Sequence, residues 1–309
     1  MGKERLDDLL EQTLFALAVK TSASSFQGAL YVISLFLALS NNSTFGSSQS
    51  VKSNLIAYFQ SLPSEDFDKI YLHLLAAGED AASPFLDPII QILTILAHQL
   101  DKERIKEHTK LFVSTVSLMS IRTKDVENID TLHEYLSTIT VMLSDHPWIF
   151  SHFIALIDVI SYIALFHRFR ITSRYHLLIS ALSEIMNHLT RKEATAEEGA
   201  VFSRLLVTLC EPPIQRSTKE SESLTSQAAV YKRALRKQAH ILLINYVHMQ
   251  VSAPLKSSIT DALMPGIYSL FGLLSKLEMQ LANQLLDSSG RVYFKNLYQG
   301  FKDHGKWKN

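Results

Sequence analysis

WIFSHFIALIDVISYIALF, Trp148 to Phe166, is the stretch on which the fold turns. As a helix it is long enough to cross ~30 Å of hydrocarbon. It also carries His152 and Asp158, and an ionisable group in mid-bilayer is costly. A helix buried inside a helical protein is therefore the better reading. The other membrane candidate, ALYVISLFLAL (Ala29 to Leu39), is too short to span. Met1 to Leu10 is charged and amphipathic, so no signal peptide is visible.

Outward from this stretch, apolar residues recur at i, i+3, i+4, i+7 along almost the whole chain, which is the helical period. Leu6, Leu9, Leu10, Leu14 and Leu17 make one stripe; Phe26, Leu30, Ile33 and Leu37 open the next. NNSTFGSSQS (Asn41 to Ser50) is a polar loop. Further helices are expected from about Val51, from an N-cap at Ser64, near Pro84, after Asp101, after Asp130, through Pro147 as a first-turn residue, from Thr172 and from Thr195. Of 309 residues only 10 are Gly and 8 are Pro, so tight turns are few and elements long. A hydrophobic fraction of 47% against 19% charged residues supplies a large core.

Successive pairs of helix centres lie about forty to forty-five residues apart, the pitch of HEAT or armadillo units. No repeat consensus is visible. The expected fold is all-α: an α-solenoid of degenerate HEAT/armadillo-like helix pairs, about 13 or 14 helices. EPPIQRSTKESESLTSQ (Glu211 to Gln227) breaks the composition. Pro212 and Pro213 stop a helix, and the Ser/Thr/Glu run after them cannot bury enough to order itself. The expected organisation is a helical-repeat region over 1–210, a mobile connector over 211–227 and a C-terminal helical region over 228–309. A long helix from Ala228 to about Val251 buries Leu235, Ala239, Leu242, Leu243, Tyr246 and Val247. Lys232, Arg233, Arg236 and Lys237 form a basic patch on its first half, either a solvated face or a contact for RNA or an acidic partner.

The chain offers little chemistry. Basic and acidic residues balance at 30 each, so any nucleic-acid contact is local. Neither GxxxxGK[ST] nor GxGxxG occurs. His133 and Glu134 begin a zincin-like string that fails at Ser137. The 12 histidines are scattered; His240 and His248 stand eight apart, about 12 Å along a helix, too far for one zinc. The lone Cys210 excludes an intrachain disulfide and fits a reducing compartment. No catalytic residue, metal site, cofactor or small-molecule substrate is expected, and no enzyme.

The last stretch, GRVYFKNLYQGFKDHGKWKN, places Tyr293, Leu297 and Phe301 at i, i+4, i+8, with Phe294 and Tyr298 alongside: a helix with a broad aromatic stripe. Lys295 and Lys302 fall on the other side, and Gly290 and Gly305 are expected to bracket the helix. The stripe reads as buried. The competing reading is a single-stranded RNA surface of stacking rings and cations, with Lys306, Trp307 and Lys308 projecting beyond the packed part.

DALMPGIYSLFGLL, MQLANQLLDSSGRVYFKNLYQGFKDHGKWK and ILLINYVHMQ resemble the C-terminal region of the Urb/Npa family, the "unhealthy ribosome biogenesis" or "nucleolar pre-ribosomal-associated" proteins. The residues that carry the resemblance are Pro265, Gly266, Ile267 and Tyr268, then Phe294, Leu297 and Tyr298, then Gly305, Lys306 and Trp307. It is densest over about the last eighty residues. It implies a stretch of a very large nucleolar helical-repeat scaffold, active in early large-subunit assembly and precursor-rRNA processing. Its partners would be a sister scaffold, a DEAD-box helicase and small assembly proteins, with no membrane. Pro265, Gly266, Tyr268, Phe294, Tyr298 and Gly305 are expected to be structural. Three functions compete: a protein–protein scaffold module, an RNA-contacting module using the Tyr231 to His240 patch and the tail, and a helical-repeat adaptor of nuclear transport or trafficking.

Overall fold

The computed structural model describes residues 49–80, 86–126, 129–145, 147–211 and 227–305. The first two stripes, the loop at Asn41, the Pro84 start, most of the 211–227 connector, and Lys306, Trp307 and Lys308 lie outside these. Among the described residues there are thirteen α-helices and no strand. They fall into two compact units, Met1–His146 and Pro147–Asn309.

In the first unit, α1 (Gln49–Ser61), α2 (Ser64–Gly78), α3 (Leu86–Gln99), α4 (Lys102–Glu107), α5 (Thr109–Arg122) and α6 (Ile129–Asp145) follow one another. Beyond its immediate neighbour, each longer helix packs on the helix two along, if the broken rod α4–α5 counts as one: α1 on α3, α2 on α5, α3 on α6. Polar pins fix the register. The Tyr71 and Thr115 hydroxyls meet at 2.7 Å, Arg122 Nε donates to Gly78 O, and Thr138 Oγ1 donates to Thr94 O, each pair 44 residues apart. The repeated 44-residue offset at two points means that α2 and α5 run parallel, one repeat apart, at the pitch the spacing predicts.

The rod breaks at His108, whose backbone leaves the helical region (φ −111°, ψ 30°). The break lets α4 turn Arg104 inward. Its Nη2 donates to Phe59 O and Leu62 O at the end of α1, and the guanidinium lies 4.6 Å from the Phe67 ring centroid. Orphan carbonyls at a helix terminus thus receive a charged donor.

The second unit begins with a 3-10 turn, Pro147–His152, followed by α7 (Phe153–Phe166). The stretch expected as one helix from Pro147 is thus two elements, with the α-helix starting at Phe153. Its buried face is Phe153, Leu156, Ile157, Val159, Ile160, Ile163 and Ala164. No helix of the described residues is long and apolar enough to cross a membrane. A second 3-10 turn (Thr172–Arg174), α8 (Tyr175–His188), α9 (Ala196–Cys210), α10 (Gln227–Ser252), α11 (Ser257–Leu273), α12 (Lys276–Leu285) and α13 (Ser288–Gly300) complete it. Thr195 caps α9 in a full capping box with Glu198.

Here too α7 packs on α9, α8 on α10, α9 on α11 and α10 on α12. The pinned offsets are longer. Ser203 and Leu263 stand 60 apart, Asn245 and Ser183 62. Residues 212–226 lie between the members of each pair, and the extra length of the offset is about theirs.

Candidate interaction surface of the C-terminal helices

α11 carries Pro265 in its interior. Proline has no N–H to give to the carbonyl four residues back and its ring crowds that carbonyl, so the ladder opens locally. Ser203 of α9 fills the opening. Its hydroxyl accepts from Gly266 N at 2.9 Å and donates to Leu263 O at 3.3 Å. A Cβ at Gly266 would stand 2.9 Å from both Cα and O of Ser203. Pro265 itself is exposed and Gly266 buried, so the pair makes a break and a close helix crossing.

Phe271 is the hub for the remaining motif residues. Phe294, Tyr298 and Phe301 stand 5.4, 5.6 and 5.6 Å from its centroid, and Tyr268 lies 6.0 Å from Phe301. α13 therefore lays its rings on α11. Phe294, Leu297 and Phe301 are buried; Tyr293 and Tyr298 are half-buried. The helix does not start at Gly290. Asp287 caps it by accepting from Gly290 N at 2.7 Å, which puts Gly290 in the first turn. Nor does it run as one α-helix to Gly305: the α-helix ends at Gly300 and Phe301–Gly305 continues as a π-helical turn. Lys295 and Lys302 are exposed, and Lys302 Nζ lies 4.7 Å from the Tyr298 ring centroid.

On α10, Lys232, Arg233 and Lys237 are exposed. Arg236 is half-buried and its Nε donates to Leu273 O at 3.0 Å, closing the C-terminus of α11. The patch gains neighbours that the sequence alone does not connect with it. The turn after α7 packs on α10 and brings Arg168 over the Tyr231 ring at 5.2 Å, with Phe169 edge-on to the same ring at 6.0 Å. Arg168 is buried, while Phe169 and Arg174 are exposed. Alternating cations and a ring in HRFR, His167 to Arg170, were the available signal.

α12 is unusual among these helices. Ser275 N donates to Glu278 Oε2 at 2.9 Å in a capping box. Burial pushes the Glu278 carboxyl up, but its bonds from Ser275 outweigh this and hold it below the usual range. At the other end Arg291 donates to Asn283 O and Gln284 O, at 3.1 and 3.2 Å. Between these two anchors the one buried residue is Ala282. Leu277, Leu281 and Leu285 are 72%, 41% and 57% exposed. By period alone these leucines would belong to an ordinary core-facing stripe.

The model of the Urb2/Npa2 family matches residues 85–309. The chain belongs to the Urb2/Npa2 family. The match starts well upstream of the motif-bearing C-terminus and takes in every helix from α3 onward, so part of the diffuse helical stretch is family as well. No curated protein matches the chain. Membership in Urb2/Npa2 carries a role in ribosome biogenesis.

Within this Urb2/Npa2 chain, no group of three or more His, Cys, Asp or Glu among the described residues could hold a metal ion. Cys210 is buried, and burial, reinforced by Glu211, pushes its thiol far above the ordinary range. That is the reverse of what a nucleophile needs. His188 lies flat on Phe150 at 4.0 Å, with Glu198 Oε1 3.6 Å away; burial lowers its pKa against the opposing pull of Glu198.

Proposed function

We propose that this chain is a non-catalytic scaffold module of early large-ribosomal-subunit assembly and precursor-rRNA processing. It acts in the nucleolus through protein–protein contacts with a sister scaffold, a DEAD-box helicase and small assembly proteins. The observation that carries this reading is helix-on-helix stacking at a constant offset in a chain of a ribosome-biogenesis family. Such stacking spreads recognition over ridges. In this reading residues 1–210 form the repeat region, 211–227 a connector and 228–309 the motif-bearing end. Gradient sedimentation of the tagged chain tests it. Co-sedimentation with early large-subunit precursors is expected, and recovery in free-protein fractions alone overturns it.

A second reading, local RNA contact, is favoured by the exposed Phe169 against Tyr231, which precedes the exposed Lys232 and Arg233, and by the exposed Arg174 on a turn packed on α10. Rings and cations together are what single strands are held by. Phosphate contacts make affinity fall steeply with salt, whereas apolar ridges do not. Salt-insensitive retention in particles, with no crosslink from this patch to RNA, removes this second reading.

A further inference from the structure

We infer that the outer side of α7 and the turn after it form a stacking platform for single-stranded RNA, whose phosphates lie over the first half of α10. The inference rests on the RNA reading above and names the strand type and the rings that hold it. Among the described side chains most aromatic rings are packed away. The three that are exposed, Tyr162, Phe166 and Phe169, at 37%, 54% and 45%, fall in one short stretch. Tyr162 and Phe166 stand one helical turn apart and stack on each other, with centroids 5.9 Å and planes 29° apart. Phe169 follows in the turn, where Tyr231 meets it edge-on. Leu165, 44% exposed, widens the apolar surface beside them. Exposed rings are what bases stack on, because every base has a π-face.

Charge selects a polyanion. No carboxylate occurs from Val159 to Ser183 or from Gln227 to Ser252, in a chain of zero net charge. The first of these stretches carries Arg168, Arg170 and Arg174, and packs on the second, which carries the basic patch of α10. Asp158 borders the platform one turn before Tyr162, Glu211 acts together with Lys232 on Cys210, and Glu278 stands beside Arg236. These acids do not cancel the excess: over residues 158–300 as a whole, cations outnumber carboxylates sixteen to eleven. Arg168 has the sharpest need of an anion. It is buried, Nη1 and Nη2 have no hydrogen-bond partner, and no carboxylate pairs with it among the described residues. The Tyr231 ring faces it at 5.2 Å, but a ring does not neutralise a charge. A buried charge left uncompensated is costly, and a phosphate drawn to the turn beside Phe169 would offset it. An acidic peptide would match the cations and leave the three rings in water. A duplex would keep its bases from them.

The test uses the full chain with a labelled oligouridylate of about twelve nucleotides, an RNA duplex of the same length and a polyglutamate peptide. Anisotropy titrations over a range of salt compare the chain with Tyr162→Leu/Phe166→Leu, with the ring-keeping Tyr162→Phe/Phe166→Tyr, and with Arg174→Gln/Lys232→Gln. The replaced side chains are exposed, so circular dichroism should not change. Expected are preference for the single strand, at least about tenfold weaker binding by the leucine variant, and full binding by the ring-keeping variant. The salt slope should stay unchanged in the leucine variant and fall by about one to two in the glutamine variant. Equal binding by the chain and its leucine variant, equal binding of the duplex, or polyglutamate held as tightly as RNA overturns the inference. Loss of binding in the glutamine variant alone fells the platform and leaves the RNA reading standing. A chain that binds neither RNA fells both.

Discussion

Replacing Gly266 with alanine adds one methyl group where α9 and α11 cross. The new carbon would stand 2.9 Å from the Ser203 backbone at two atoms and 3.1 Å from Leu206 Cβ. Ordinary contact begins near 3.4 Å, and the closest opposing atoms are backbone, so no side chain can rotate away. The helices must part by roughly half an ångström. Overpacking of this kind costs about 1–3 kcal/mol. Stretching the Gly266–Ser203 hydrogen bond loses up to about 1 kcal/mol more. Alanine's better helix propensity returns about 1 kcal/mol. The net expectation is a loss of about 1.5 kcal/mol within a range of about 0–3, or roughly 3–6 °C in melting temperature at the central value for a compact unit of this size. Gly272→Ala in the same helix is the control. Nothing lies within 4 Å of the place its Cβ would take, so the change should be neutral or stabilise by up to about 1 kcal/mol. Thermal melts followed by circular dichroism read both. A Gly266→Ala protein that melts with or above the unmodified chain would refute the close-crossing argument.

Two further outcomes follow from buried titratable groups. Burial lowers the pKa of His188 and of His98 from the ordinary 6.5, so the unfolded chain takes up these protons first. The stability they contribute is present above about pH 6.5 and lost as pH falls through the lower folded values. Melting temperature should therefore drop between pH 7.5 and pH 5, and His188→Gln should shrink that drop; an unchanged drop would assign it to other groups. Cys210 should react with a thiol reagent only on unfolding, since its thiol is both buried and raised. Rapid stoichiometric labelling of the native chain would contradict the burial.

Much of the architecture was legible because burial follows period. All six residues named for the buried face of α10, from Leu235 to Val247, are in the core. The repeat pitch read from helix centres reappears as the 44-residue pins. Local signals succeeded where the chemistry is local, as at Thr195. They missed where a terminus is set by something else. Pro63, not Ser64, caps α2, and Asp101 caps α4 without a side-chain bond. The break at His108 was invisible because Arg104 finds its acceptors about 45 residues away. The interaction surface was harder still. A leucine stripe looks the same whether its partner lies in the fold or outside it, so Leu277, Leu281 and Leu285 needed coordinates. Arg236 looked like one more surface cation until its bond to Leu273 O appeared.

The lengthened offset of the second unit has a consequence for how such a chain can vary. Rods piled in register keep their pitch whatever length of string joins them. The fifteen or so additional residues ahead of α10 leave the parallel alignment of Ser203 with Leu263 and of Ser183 with Asn245 intact. Spelling between rods is thereby uncoupled from stacking geometry. Changes in chain length ahead of α10 are therefore expected to leave the packing of α8 on α10 and of α9 on α11 in place.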